Sequence, residues 1–386
     1  MKVVFVSNLY PDTVEPGRGL PNARLVRHLS ERAEVRVIAP RPTLPFRPER
    51  PRTPCAEDRA VAPVFPFAWY VPKVGSRVNH LLMALALRAP LARLAREFHF
   101  DAVLAAWVYP DGCAVAELSR LMGFPFAVVA QGLDVYDYLK IPARRRIITR
   151  LMARSGAVIT RSQRLARLLG EAGVPPGLTH VIYNGVNTDV FRPGDLLAAR
   201  RELGWPAESK TVLYVGELLP VKNPLLLVDA FAQLQRRLPE AQLVMVGDGT
   251  LRSVARARAQ ELGVSAKVLF LGLRPEREVA GFMRAADVLC IPSRNEGVPN
   301  VMLEAFASGL PVVATRVGGI PEILDQDYLG ALVEPGNAPA LADALFATLA
   351  VPRRRDEILA RAQRHSWPDT AGAYLALLER AVGQGT

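Results

Sequence analysis

Residues 294–314, RNEGVPNVMLEAFASGLPVVA, constrain the fold more than any other part of the chain. A loop holding Glu296 leads to a helix whose first turn we expect at Pro299, because proline lacks the N–H that a first turn does not use. Gly309 suits the left-handed position after a helix, and residues 310–314 form a buried strand. The stretch therefore predicts a loop, a helix and a strand of an α/β protein.

The start of this helix is suited to an anion. The backbone N–H groups near Pro299, Asn300 and Val301 have no partner inside the helix, and the helix dipole adds positive potential there. Glu296 lies before the helix and Glu304 about one turn inside it, so two carboxylates can hold two polar parts of one ligand. The pattern predicts a site for a phosphate and hydroxyl groups, although similar helices occur in α/β proteins that bind nothing there.

Apolar runs alternate with amphipathic helical patterns, which is typical of βαβ units and parallel sheets. At 386 residues the chain is long enough for two domains with their own cores. We therefore predict an α/β fold. The strands predicted from the apolar runs are 3–6, 34–39, 102–106, 126–130, 157–161, 211–215, 242–246, 268–271, 287–292 and 310–314.

Composition narrows the class of protein. Half of the residues are hydrophobic, and no apolar run reaches the roughly 18 residues of a membrane span. The opening MKVVFVSNLYP predicts a buried strand without the flank of a signal peptide. The three cysteines, Cys55, Cys113 and Cys290, lack metal-ligand spacing, and no histidine lies near a second ligand residue. We expect a cytoplasmic protein with no metal site.

The formal net charge of +11 is confined to the first half of the chain. Residues 1–190 carry 26 Lys and Arg against 15 Asp and Glu, whereas residues 191–386 carry 22 of each kind. A positive field of this kind favours an anionic partner such as a membrane surface, a phosphorylated lipid or a nucleic acid. A solvated basic face without a partner explains the same charge equally well.

Two helical segments carry most of this charge. A helix predicted over residues 77–98 has arginines beside an apolar face, which indicates either contact with a membrane interface or a core helix with solvated arginines. The segment ARRRIITRLMAR predicts a helix with one cationic side, suited to lipid phosphates or to water. Its arginines are Arg144, Arg145, Arg146, Arg150 and Arg154.

The string E-G-x-P-x-x-x-x-E-A-x-A-x-G-x-P-V-V-A, which begins at Glu296, closely resembles the donor-binding signature of retaining glycosyltransferases of family 4. Other segments resemble the same family: YPDG after strand 102–106, QGLD after strand 126–130, HVIYNGVNTDVFRP at 180–193 and GELLPVKNP at 216–224. The resemblance covers nearly the whole chain and is strongest over residues 212–322.

The resemblance implies the GT-B architecture, in which two Rossmann-like domains face a cleft. Residues 1–190 would bind the acceptor, residues 191–366 the nucleotide sugar, and a terminal helix within 367–386 would cross back onto the first domain. The implied enzyme is a hexosyltransferase that takes a sugar from a nucleoside diphosphate, with UDP the leading candidate. It transfers with retention to an acceptor hydroxyl and needs neither a metal nor another cofactor.

The resemblance also assigns roles to residues. Lys222 and the helix after Pro299 would stabilise the leaving diphosphate, Glu296 would hold hydroxyls of the donor sugar, and Glu304 would hold the ribose. Gln131, Lys222 and Glu296 form the implied catalytic set. The rest of the implied donor site is Glu217, Leu273, Arg274, Gly297, Val298, Pro299, Asn300 and Val301, and the implied acceptor site is Gly17, Gly19, Asp111 and Asp134.

Two positions depart from the family pattern. Gln131 stands where many members have a histidine, and Glu217 stands where an arginine is common. Gln131 can hydrogen-bond but cannot titrate, so it bears on sugar recognition more than on proton transfer. Glu217 removes one cation from the diphosphate site, which leaves Lys222 and the helix start to neutralise it.

Three functions remain open at this point. The first is a glycosyltransferase that acts on a glycan or a lipid-linked acceptor in cell-surface polysaccharide or glycolipid synthesis, cytoplasmic or peripheral at the inner face of the membrane, with no nucleic-acid partner. The second is a non-catalytic protein that binds a nucleotide sugar, which the two departures favour. The third is a non-hydrolysing nucleotide-sugar epimerase on the same fold, which would need titratable groups in the first domain.

Overall fold

The computed structural model describes residues 1–44 and 51–383. The chain divides into two compact units. Unit 1 comprises Met1–Asn184 and the chain from Trp367 onward, and unit 2 comprises Gly185–Ser366. Among the described residues, none of the helices combines the length and the apolar character needed to cross a membrane.

Unit 1 is built on a six-stranded parallel sheet of order β2-β1-β5-β6-β7-β8, with a two-stranded parallel sheet, β3-β4, beside it. Its strands are β1 (Lys2–Val6), β2 (Glu34–Ile38), β3 (Arg41–Thr43), β4 (Phe67–Trp69), β5 (Ala102–Ala106), β6 (Phe126–Ala130), β7 (Ala157–Thr160) and β8 (Thr179–Val181). Its helices are α1 (Leu20–Ser30), α2 (Asn79–Glu97), α3 (Cys113–Met122), α4 (Leu133–Tyr136), α5 (Pro142–Met152), α6 (Gln163–Ala172) and, at the end of the chain, α15 (Trp367–Gly383).

Unit 2 repeats the plan with a six-stranded parallel sheet of order β11-β10-β9-β12-β13-β14. Its strands are β9 (Lys210–Val215), β10 (Ala241–Val246), β11 (Val268–Gly272), β12 (Val288–Ile291), β13 (Val312–Thr315) and β14 (Gly330–Val333). Its helices are α7 (Leu196–Leu203), α8 (Pro224–Arg237), α9 (Arg252–Glu261), α10 (Glu276–Ala285), α11 (Asn300–Ala307), α12 (Ile320–Ile323), α13 (Ala338–Ala350) and α14 (Arg355–Gln363).

The central strands are buried on both faces, which is why they appear in the sequence as continuous apolar runs. All five residues of β5 and of β6 are buried, as are all six of β10. In unit 1 one core lies under α2 and α3, and a second lies under α1 and α15, where Trp367 and Tyr374 are fully covered. The prediction of an α/β fold with two Rossmann-like parallel sheets is confirmed.

Element boundaries differ from the predictions in a few places. Pro299 is the residue before α11 rather than part of its first turn, because its ψ of 126° is extended. The strand predicted over 310–314 begins later, at Val312, and ends at Thr315. The helix predicted over 77–98 begins at Asn79, since Lys73–Arg77 forms a 3₁₀ turn ahead of it. Gly309 does take the left-handed conformation after α11, with φ of 71°.

Candidate active site

The centre of the unit 2 sheet is a topological switch point. Strands β9 and β12 are neighbours at the centre of the sheet. From β9 the order continues to β10 and β11 on one side, and from β12 it continues to β13 and β14 on the other. In open α/β sheets, ligands bind beyond the carboxyl ends of the strands where the strand order reverses in this way. The loops after β9 and β12 are therefore the expected place for a ligand.

Lys222 and Glu296 meet at this point. Lys222 follows β9, Glu296 follows β12, and the Lys222 Nζ donates to Glu296 Oε1 at 2.6 Å. The Ser293 hydroxyl donates to the same oxygen at 2.7 Å. The side chains of Lys222 and Glu296 are 28% and 9% exposed, so this ion pair reaches solvent instead of being enclosed in the core. A cation and a carboxylate are thus both available at the switch point.

Backbone hydrogen bonds join the loops around this pair. Arg294 N donates to Val221 O, which ties the β12 loop to the β9 loop, and Gly319 N donates to Gly297 O, which ties the β13 loop to the β12 loop. On the other side, Leu218 N donates to the carbonyl of Asp248 in the β10 loop. We call these four loops, 216–223, 247–251, 292–299 and 316–319, the unit 2 rim.

Glycines allow the rim loops to approach one another. At Gly318, with φ of 58°, an added Cβ would lie 1.7 Å from the carbonyl oxygen of Glu296. At Gly247, with φ of 132°, it would lie 1.9 Å from the carbonyl oxygen of Gly216. Any side chain at either position would push the Glu296 loop or the β9 loop away from its neighbour. The close backbone contact therefore fixes where Glu296 and Lys222 stand.

Helix α11 presents its first turn next to Glu296. Asn300, Val301 and Glu304 are partly exposed, whereas Met302 and Phe306 are buried. Met302 N donates to Pro299 O, so the helix closes its first turn there and directs the earlier N–H groups out of its end. The structure brings Lys222, Glu296 and the start of α11 together in unit 2, as the sequence predicts.

The remaining donor-site residues of the sequence prediction have less specific surroundings. Gly297 and Val298 are partly exposed within the β12 loop. Glu217 is exposed, and its backbone carbonyl accepts a hydrogen bond from the buried Tyr214 hydroxyl at 2.7 Å. Leu273 is 77% exposed in the loop after β11, where Arg274 Nε donates to Leu271 O. The predicted contribution of these positions to a donor site stays a prediction.

In unit 1 the two predicted acceptor carboxylates are fully buried. Asp111 accepts hydrogen bonds from Asn8 N at 2.7 Å and from the Asn8 side chain. Asp134 accepts from the backbone N–H groups of Val108, Gln131 and Gly132. Burial raises the pKa of Asp111 to about 7 and that of Asp134 to about 6, against the lowering effect of these hydrogen bonds. Both carboxylates hold loops in place, so any role toward an acceptor is through those loops.

The predicted glycine loop after β1 is partly fixed in the same way. Gly19 precedes α1 with φ of 65°, and an added Cβ would lie 2.2 Å from the carbonyl oxygen of Leu9, so the loop folds tightly back on itself. Gly17 has nothing within 4 Å of such a Cβ. The requirement for glycine is therefore physical at Gly19, whereas Gly17 faces open space.

Gln131 follows β6 and is partly exposed. Its Nε2 donates to Asn22 Oδ1 at 2.9 Å, and Asn22 Nδ2 in turn donates to Leu9 O at 2.8 Å. Asn22 lies in the first turn of α1 and is almost fully buried. The side chain of Gln131 is thus held at the carboxyl end of the sheet by a buried amide.

One basic segment differs from its prediction. The sequence predicts Arg144 on the cationic side of a helix, but Arg144 is buried. Its guanidinium lies 4.3 Å from the centre of the Tyr138 ring and 5.1 Å from the centre of the Tyr109 ring. Stacking on aromatic rings stabilises a cation that has been removed from water. The exposed arginines of this segment are Arg145, Arg146, Arg150 and Arg154.

Sequence reasoning missed several residues of these sites. Ser293 shares Glu296 with Lys222, and Gly318 lies against the Glu296 backbone. The pair Gly318-Gly319 in TRVGGIPEIL indicates a turn, but nothing in the sequence shows which loop this turn packs against. Within residues 1–44 and 51–383, no three His, Cys, Asp or Glu side chains are grouped so that they could hold a metal ion.

Two family models match the chain. The model for Glycosyltransferase Family 4 matches residues 22–190, and the model for Glycosyl transferases group 1 matches residues 197–365. The D-inositol 3-phosphate glycosyltransferases of Mycobacterium bovis and Mycobacterium tuberculosis are each 37% identical to this chain over 230 residues. That match covers 55% of this chain and 46% of the relative, so the chain spans about half the length of these curated relatives.

Solved structures share the fold. Sucrose-phosphate synthase from Thermosynechococcus elongatus aligns over 100% of both chains with a TM-score of 0.78 and 24% identity. HepE of Anabaena in complex with UDP aligns over 98% of this chain and 100% of its own with a TM-score of 0.77 and 23% identity. The predicted resemblance to family 4 is confirmed by the family models, and these structures agree in fold.

Proposed function

Because this chain belongs to the glycosyltransferases of group 1, we propose that it transfers a hexosyl group from a nucleoside-diphosphate sugar to an acceptor hydroxyl, with retention at the anomeric carbon. The observation that carries the proposal is the partly exposed Lys222–Glu296 pair at the switch point of unit 2, beside the start of α11. A cation, a carboxylate and a helix start match the diphosphate and the hydroxyl groups of such a donor.

UDP is the nucleotide that the HepE structures favour. HepE of Anabaena has been crystallised with UDP and with UDP-glucose, and it shares the fold over nearly the whole chain. The donor diphosphate would lie between Lys222 and the first N–H groups of α11, and the ribose hydroxyls would lie at Glu304. The base would meet the backbone near Leu273 and Arg274.

The reaction breaks the bond between the anomeric carbon and the diphosphate oxygen, and forms a bond between that carbon and the acceptor oxygen on the same face. Negative charge grows on the departing diphosphate, where Lys222 and the α11 dipole stabilise it. The acceptor proton passes to a diphosphate oxygen, so no side chain has to titrate. This route requires no metal ion.

Donor binding has to change the partner of Lys222. In this structure its Nζ is hydrogen-bonded to Glu296, and a diphosphate carries more charge than one carboxylate. Lys222 would turn to the diphosphate, while Glu296 would turn to the sugar hydroxyls and keep its contact with Ser293. The ion pair thus keeps both groups in position and limits the cost of leaving either charge unpaired.

The acceptor is proposed to be a glycan or a lipid-linked molecule of the cell surface, reached from the cytoplasmic side of the membrane. Leu81 and Leu85 on α2 are 48% and 68% exposed, and Trp69 on the neighbouring β4 is 57% exposed. Arg77 and Arg88 are exposed near the same leucines. Apolar side chains flanked by arginines are typical of a surface that rests on anionic lipid.

Transfer itself can be measured with UDP-glucose and a panel of glycan and lipid-linked acceptors, with EDTA present, and the anomeric configuration of the product read by NMR. We expect a product that retains the donor configuration, and loss of turnover in Glu296→Ala and Lys222→Ala. UDP binding without turnover on any acceptor would favour a non-catalytic binding protein. Formation of an isomerised UDP-sugar would favour an epimerase.

Membrane contact has its own test. Vesicles with anionic lipid should bind the protein in a salt-sensitive way, and Leu81→Ser with Leu85→Ser should weaken that binding. Leu197→Ser is the matched control, because Leu197 is 50% exposed on α7 of unit 2. Equal binding to neutral vesicles at high salt, or equal loss in the control, would contradict the proposed surface.

A further inference from the structure

Arg161 is a buried cation without a counter-ion. It follows β7 directly and is 5% exposed. Its Nε and Nη1 have no hydrogen-bond partner among the described residues, and its Nη2 is 3.5 Å from Asn22 Oδ1. A guanidinium offers five N–H donors, so most of its hydrogen-bonding capacity is unused.

Neighbouring carboxylates do not compensate this charge. In the part of the chain that the structure describes, Arg161 forms no ion pair, and the buried carboxylates of this sheet edge, Asp111 and Asp134, accept from other donors. Removing an unpaired charge from water costs several kcal/mol. The fold therefore keeps a group that it does not itself satisfy.

Two further features near the guanidinium offer unused donors or positive potential. They are the Tyr374 hydroxyl and the first turn of α1. The Tyr374 hydroxyl on α15 has no partner among the described residues, and burial raises its pKa while the nearby charge of Arg161 opposes that rise. The first turn of α1, which holds Asn22, lies close by and has neither an acidic residue nor a side-chain cap. Unused donors and positive potential therefore lie together around Arg161.

The cluster lies next to the partly exposed Gln131. Gln131 Nε2 and Arg161 Nη2 approach the same oxygen, Asn22 Oδ1, at 2.9 and 3.5 Å. The guanidinium is therefore one side chain away from the surface at the carboxyl end of the unit 1 sheet. An acidic group that entered beside Gln131 would come within reach of Arg161.

We propose that Arg161 is the core of an anion subsite in unit 1 that holds a phosphate or carboxylate of the acceptor. The planar fork of the guanidinium would bind two oxygens of that group side by side. This inference rests on the proposed glycosyl transfer and adds to it that the acceptor is acidic. Acceptors that lack the acidic group would lose most of their kcat/KM, because Arg161 would then stay buried and unpaired in the complex.

The test separates this subsite from the donor site by using Lys222→Ala as the background. In that background, thermal unfolding is followed with inorganic phosphate or acetate against chloride at equal ionic strength. We expect phosphate, acetate or both to raise the midpoint by a few degrees, and Arg161→Met to remove the rise. The two anions tell whether the subsite takes a phosphate or a carboxylate.

Three further variants keep the result interpretable. Arg161→Met should unfold at or above the parent temperature in chloride alone, because an unpaired buried charge has been replaced by an apolar side chain. Arg161→Lys should keep only part of the anion response, since it loses the fork. Arg167→Met, an exposed arginine on α6, should behave like its parent.

Two results would overturn the proposal. One is a parent protein whose midpoint responds to neither phosphate nor acetate. The other is an Arg161→Met protein that still responds to the anion, whatever its midpoint in chloride, which would show that the anion binds elsewhere. In the background with Lys222 intact, Arg161→Met should keep its response to UDP, so failure here is distinguishable from failure of the proposed transfer.

Discussion

In both units a loop after the first strand meets a loop after the strand beside it, but the pairs that meet there differ. Asn8 after β1 contacts Asp111 after β5, and these residues are 7% and 0% exposed. Lys222 after β9 contacts Glu296 after β12, and the lysine side chain is 28% exposed. Unit 1 has a neutral amide and a buried carboxyl at the position where unit 2 has an accessible ion pair.

Strand order therefore determines where a site lies but not which side chains form it. Both Asp111 oxygens accept hydrogen bonds from Asn8 and are buried, so the proposed recognition in unit 1 rests on Gln131 and Arg161 farther along the sheet. Glu296 and Lys222 are paired with each other, and in the proposed function a diphosphate replaces that pairing. We therefore propose that unit 2 binds a charged donor at its centre and that unit 1 binds the acceptor at its side.

The largest expected effect is at the centre of unit 2. Lys222→Ala should lower kcat/KM for transfer by about 10²–10³-fold, because one cation that stabilises the leaving diphosphate is lost. Steady-state kinetics with UDP-glucose measure it. Lys267→Ala removes an exposed lysine of the same unit and should leave the rate unchanged. Wild-type kinetics in Lys222→Ala would show that the unit 2 pair is structural, like that of unit 1.

The next effect concerns how the rim holds Glu296. Gly318→Ala should lower the free energy of unfolding by about 1–3 kcal/mol through strain at φ of 58° and collision with the Glu296 carbonyl. It should also reduce turnover about tenfold, because displacing Glu296 would raise the activation free energy by about 1.4 kcal/mol. Gly336→Ala, at φ of 83° with nothing nearby, isolates the strain alone. Equal turnover in the two variants would mean that rim spacing does not matter.

A pH effect tests the buried carboxyl of unit 1. Asp111 keeps its proton up to about pH 7 when folded, whereas its ordinary pKa is 3.8. The folded protein thus binds more protons at Asp111 between these values, so the contribution of Asp111 to stability is fully present below about pH 4 and is lost as the pH rises to about 7.

Asp111→Asn should flatten that fall by up to about 1 kcal/mol per pH unit, measured by urea unfolding at a series of pH values. Asp134, whose pKa is raised to about 6, should account for part of the slope that remains. Asp137→Asn removes an exposed carboxylate nearby and should not change the slope. An unchanged slope in Asp111→Asn would show that this carboxyl is charged in the folded state.

The smallest effect is at the outer part of the unit 2 rim. Glu217→Arg should lower the KM for the donor about two- to fivefold, because an exposed cation near a diphosphate contributes under about 1 kcal/mol. Glu208→Arg makes the same charge change at an exposed position before β9 and should have no effect. A rise in KM for Glu217→Arg alone would indicate that the Glu217 carboxylate itself contacts the donor.

Much of the fold was predictable because buried parallel strands are continuous apolar runs, and β5 and β6 fall on the predicted residues. Glu296 and Lys222 were predictable because both follow strands in the half that carries the family signature. Asp111 also follows a strand, and its partner Asn8 lies 103 positions away, so the sequence did not show that its oxygens are occupied. The close approach of Gly318 to the Glu296 backbone likewise depends on how two loops pack.

We propose above all that the switch point of unit 2 binds the diphosphate of a nucleotide sugar through Lys222. Isothermal titration of UDP, with EDTA present, into the wild type, Lys222→Ala and Lys267→Ala tests it most directly. We expect UDP to bind the wild type and Lys267→Ala, and to bind Lys222→Ala with an affinity at least tenfold weaker. Equal affinity in all three proteins would contradict it.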